Sequence, residues 1–113
     1  GHNMYFDVPT TFLDTSDIVP DMVKGVFAIG CSTGRYFKDR LIKPNVYGIL
    51  FTKGLMAPEG YNSLALMDSI AQAHNGRQIV ENADNAYRYF QALGGKNVHG
   101  PLFQNHSTDL FLK

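Results

Sequence analysis

The densest group of reactive side chains is Val26-Phe-Ala-Ile-Gly-Cys-Ser-Thr-Gly-Arg35, where an apolar run ends in a loop of two glycines, a thiol, two hydroxyls and an arginine. If a helix opens at Thr33, such a loop points backbone N–H groups at an anion, with Arg35 as a clamp and Cys31, Ser32 and Thr33 as further ligands. The spacing completes no phosphate signature, because the loop contains neither GxxxxGK[ST] nor GxGxxG. A cysteine phosphatase would place arginine where this chain has Phe37. The plainer expectation is a turn closing a strand, with a partly buried cysteine.

His99 and His106 form the second group, followed by Ser107, Thr108 and Asp109. Two imidazoles beside a carboxylate are the equipment of acid–base catalysis near neutral pH, provided the fold makes them converge. Neither histidine belongs to an HExxH pairing, and Cys31 is the only cysteine, so no metal site and no cofactor is predicted. His74 falls at the end of a helical stretch, where a cationic ring suits the helix dipole. His2 is set aside, because Gly1-His2-Asn3 ahead of Met4 reads as a remnant of expression.

Arg35-Tyr-Phe-Lys-Asp-Arg-Leu-Ile-Lys43 interleaves basic and aromatic residues, as surfaces for single-stranded nucleic acid do. Asp39 interrupts it and the whole chain has a formal net charge of zero, so nucleic acid is not the expected partner. Tyr89, beside Arg88, turns away from the apolar stripe of its helix and is a candidate for a ligand pocket or a dimer face. Gly94–Gly100 follows as a flexible connection.

The elements that must position these groups are read from periodicity. Met4–Val8, Gly25–Gly30 and Asn45–Thr52 are predicted strands, the last apolar on both faces and therefore central in a sheet. Pro101–Phe103 and Asp109–Leu112 are short strand candidates. A helix is predicted over 58–74, with Tyr61, Leu64, Met67, Ala71 and His74 on one face. A second runs to Leu93 from Arg77 or Asn82, with Ala83, Ala86, Tyr87, Phe90 and Leu93 as its apolar stripe and Gly94-Gly95 as its stop. Asn75-Gly76 between them reads as the turn of a helical hairpin, unless Arg77–Val80 forms a strand. Residues 33–43 fit neither period, since Phe37 and Leu41 suit a helix while Gly34 and Pro44-Asn45 suit a hairpin. A few strands and two helices amount to a small α+β fold in a single domain spanning 1–113.

A chain of 113 residues, 44% hydrophobic with 8 Phe and 6 Tyr, has enough apolar surface for one core without disulfides. The lone cysteine suits a cytoplasmic setting, and no apolar run reaches membrane-spanning length. Charge is segregated: residues 1–34 set four aspartates against Lys24, a balance of −3, whereas 35–54 set five basic residues against Asp39, a balance of +4. Such a pattern closes internally or pairs between two copies. Sequence alone specifies no activity. The preferred expectation is a non-enzymatic module that binds a small ligand or a protein partner as a homodimer. The alternative is a small enzyme, working through His99, His106 and Asp109 or through an anion held at Cys31–Arg35.

Overall fold

The computed structural model describes residues 22–41, 46–57 and 59–106. In chain order these contain β1 (Lys24–Phe27), α1 (Thr33–Leu41), β2 (Val46–Thr52), α2 (Tyr61–Ala71), α3 (Gly76–Leu93) and β3 (Phe103–His106). The strands form one sheet in the order β1-β2-β3, with β2 parallel to β1 and antiparallel to β3. The fold is α+β, with three helices where two were expected. The strand candidates Met4–Val8 and Asp109–Leu112 lie outside the described residues.

β2 is central, as its two-sided apolar run implies, and residues 48–52 are all buried. Its parallel pairing with β1 requires a crossover, and α1 supplies it, so the ambiguous segment is helical over Thr33–Leu41. The buried face of α1 is Thr33, Gly34 and Phe37, which hydrophobic periodicity barely registers. At Gly34 a Cβ would fall on the Gln104 amide nitrogen and 3.2 Å from the Thr52 carbonyl oxygen, so only glycine lets the helix approach β2 this closely.

Along β3, Gln104 faces α1, whereas Phe103 meets Tyr87 of α3 edge-on and Asn105 abuts Gly76 at the start of α3. Side chains alternate across a strand, so α1 and α3 cover opposite faces of the sheet. The main core lies on the α3 side and comprises Ile49, Leu50, Met56, Leu66, Ile79, Ala83, Tyr87 and Phe103. Asp84 fastens β3 to this layer, its Oδ1 accepting the backbone N–H groups of Leu102 at 2.7 Å and Phe103 at 3.0 Å.

Asn75 starts α3 as well as ending the turn. Its side chain accepts from Gln78 N while the Gln78 side chain accepts from Asn75 N, both at 2.9 Å, a reciprocal capping box. The helix therefore begins at Gly76, ahead of Arg77 and Asn82, and Arg77–Val80 is helical rather than extended.

The inward face of α2 differs from the expected one. Asn62, Leu66 and Ser69 are buried, whereas Leu64, Met67 and Ala71 are exposed. Apolar residues run round the whole circumference of α2 (Leu64, Ala65, Leu66, Met67, Ile70, Ala71), so periodicity does not choose a side. Docking to α3 chooses instead: Gln91 Nε2 donates to the Tyr61 hydroxyl at 2.7 Å, and Asn82 Nδ2 donates to Ser69 Oγ at 3.0 Å. Phe90, expected in the core stripe of α3, is likewise exposed.

Candidate functional site

The Gly30–Arg35 loop turns sharply at Ser32, whose φ of 52° lies in the left-handed region. The turn brings Thr33, at the first position of α1, against Thr52, at the last position of β2, and both residues are buried. Thr33 Oγ1 donates to the Ala28 carbonyl at 2.7 Å and accepts from Thr52 N at 2.9 Å. Thr52 Oγ1 donates to the Gly30 carbonyl and accepts from Thr33 N at 3.0 Å. Each hydroxyl thus commits its one proton to a carbonyl and receives a backbone N–H, and the two oxygens rest 3.0 Å apart. This reciprocal pair locks the β1–α1–β2 crossover.

The same loop is tied down on its other side. Cys31 Sγ donates to the Met56 carbonyl and accepts from Met56 N, both at 3.4 Å, while Ser32 N donates to Gly54 O at 2.8 Å. Arg35 N turns back to Ser32 O at 3.1 Å. The N–H groups of Ser32, Thr33 and Arg35, which an anion at the head of α1 would need, therefore already have protein acceptors. The Arg35 guanidinium lies 5.9 Å from the centre of the Tyr36 ring. These bonds tie the loop into the β1–α1–β2 junction.

The histidines are spread along the last part of the chain. His99 is exposed in the connection after α3, His106 ends β3 opposite Gly48, and Asp109 lies outside the described residues. His74 is engaged within the hairpin: its Nδ1 is 3.0 Å from Asn82 Nδ2, the same amide nitrogen that donates to Ser69 Oγ. An amide N–H₂ only donates, so Nδ1 accepts, and Asn82 separates the imidazole from the serine hydroxyl. This trio pins the end of α2 to α3 rather than activating a nucleophile. Among the described residues no group of three or more His, Cys, Asp and Glu side chains could hold a metal ion, and no helix is long and apolar enough to cross a membrane.

Tyr89 is the sequence candidate that lies on an extended surface feature. A chain of aromatic rings runs from the sheet outward: Phe103 meets Tyr87 edge-on at 6.3 Å, Tyr87 lies tilted against Tyr61 at 6.2 Å, and Tyr61 stacks on Phe90 at 4.6 Å. Tyr89 closes the series edge-on to Phe90 at 5.1 Å. Tyr87 is fixed by its hydroxyl, which accepts from Ala57 N at 3.0 Å. Burial pushes the Tyr61 hydroxyl above its ordinary pKa, and Glu59 adds to the rise against the donating Gln91 amide. Leu64, Met67 and Ile70 on α2 and Leu93 on α3 are exposed apolar side chains of the same hairpin. Sequence reading placed Leu64, Met67, Phe90 and Leu93 inward. For Leu64 and Met67 the all-round apolarity of α2 leaves the inward side unspecified by periodicity.

No family model, curated protein or solved structure matches this chain.

Proposed function

We propose that this chain is a non-catalytic interaction module that pairs with a second copy of itself through the outer face of the α2–α3 hairpin. The observation that carries the reading is the exposure of large apolar side chains there: Leu64 at 71%, Leu93 at 68% and Tyr89 at 61%, flanked by Met67, Ile70 and Phe90. An exposed apolar surface of aromatic, Met and Leu side chains has the composition of an interface core. A second copy is the occupant that the charge pattern favours. Asp68 is the only charged side chain in α2, so two such helices meet about a two-fold axis with little like-charge repulsion.

Size-exclusion chromatography with light scattering tests the reading. Pairing predicts a mass near twice the 12.6 kDa of one chain, moving toward the single-chain mass on dilution. A single-chain mass at every concentration removes the second copy. A small aromatic molecule covering Tyr89 and Phe90 would then be sought by ligand-induced thermal shifts.

A further inference from the structure

We infer that α2 is a detachable helix, which opens from α3 and the sheet as a unit while the rest of the described fold stays intact. The inference stands on a contrast between neighbouring helices and does not require the pairing proposed above.

α3 satisfies the local rules of helix design. Its N-terminus has the Asn75–Gln78 capping box, its first turn carries the Arg77–Glu81 pair at 3.0 Å, and Gly95 occupies the left-handed position after its C-terminus with φ 80°. Gly95 N donates to Ala92 O at 3.0 Å and Lys96 N to Gln91 O at 2.9 Å, closing a Schellman motif.

α2 breaks the corresponding rules. Gly60 at its N-cap makes no side-chain capping bond. Its C-terminus closes by the same motif, Ala73 N to Ile70 O at 3.0 Å and His74 N to Ser69 O at 2.9 Å, but the left-handed residue is Ala73 with φ 56°. On its first turn Asn62 is fully buried, at 0% exposure, and both the oxygen and the nitrogen of its amide lack a hydrogen-bond partner among the described residues. A buried amide left unpaired at both ends disfavours the closed state, and opening of α2 hydrates it.

The places where α2 would release are also defined. The preceding segment is fastened as far as Ala57 by the Met56–Cys31 and Ala57–Tyr87 bonds, and among the described residues nothing lies within 4 Å of where a Cβ at Gly60 would stand. The turn at Ala73 ends the unit on the other side. Gln91–Tyr61 and Asn82–Ser69 are the side-chain bonds that opening must break. Elements that move in function come from the low-stability end of a fold, and α2 carries the exposed apolar residues as well.

Native-state hydrogen exchange on the full chain tests this, read at two protein concentrations so that association and opening are separated. Backbone amides of residues 65–72 should exchange at least about tenfold faster than those of residues 83–91, at the lower concentration as at the higher. Asn62→Leu, which removes the unpaired amide, should slow exchange in α2 by about tenfold or more. Ala73→Gly gives an independent second variant with the same direction of change. Equal protection of α2 and α3 in the native protein overturns the inference, as does faster α2 exchange in Asn62→Leu with no slowing in Ala73→Gly.

Discussion

The ring of Phe90 stacks on that of Tyr61 at a centroid distance of 4.6 Å and an angle of 18°, joining α3 to α2 at the surface of the molecule. The stack is the outer end of an aromatic series rooted in the buried Phe103, so the surface presented by Tyr89 and Phe90 is held by the core rather than by loose side chains. While α2 is docked, a surface fixed in this way loses little side-chain entropy on binding, which favours its use as an interface.

The Thr33–Thr52 pair predicts a sharp difference between two conservative substitutions. Thr52→Val keeps the shape but strands the buried Thr33 N–H, at a cost of roughly 1–3 kcal/mol, and removes the donor to the half-buried Gly30 carbonyl. Thr52→Ser retains the hydroxyl and should cost well under half as much. Urea unfolding midpoints of the two variants decide the matter: equal losses would mean that packing of the methyl group, not the hydroxyl network, closes the crossover.

The two Schellman motifs predict substitutions of opposite sign. Ala73→Gly relieves a left-handed alanine and should stabilise the fold by about 0.5–1 kcal/mol after the added chain entropy is subtracted. Gly95→Ala imposes the same strain on α3 and should destabilise by about 1 kcal/mol. Thermal melts of both variants beside the native protein test the pair, and a destabilised Ala73→Gly would contradict the assigned turn geometry.

Tyr61 predicts an alkaline loss of stability. Its folded-state pKa is raised, chiefly by burial, so the folded state holds the proton where the unfolded state has released it. This contribution is fully present below the unfolded value of about 10 and declines as pH rises through the folded value. Denaturant midpoints measured from about pH 8 to 11 should fall less steeply in Tyr61→Phe than in the native chain. Parallel curves would show that the Tyr61 hydroxyl titrates alike in both states.

Legibility from sequence followed the range of the interactions. β2 was readable as a central strand because burial on both faces is written into consecutive residues, and α3 because its stripe and glycine stop are local. Asn75 reads equally as a turn or a cap, because an Asn side chain that accepts from nearby backbone serves either purpose. α1 was ambiguous because it buries Thr33 and Gly34 beside Phe37, and the reason Gly34 is required lies on β2 and β3. Local spacing does not separate a strand-ending turn from an anion cradle at Cys31–Arg35, because the loop's partners Thr52, Gly54 and Met56 are about twenty residues away. In α2 the apolar residues are too many rather than too few, so the pattern could not say which of them face outward.

Sedimentation equilibrium of three proteins decides whether the outer face of the hairpin pairs two copies. The native chain and Met22→Asp, a control at an exposed apolar residue preceding β1, should both sediment as reversible dimers. The double variant Leu64→Asp/Leu93→Asp should remain folded by circular dichroism and sediment as a monomer over the same concentrations. A native chain that stays monomeric, or a folded double variant that still dimerises as tightly as the native chain, would contradict the account.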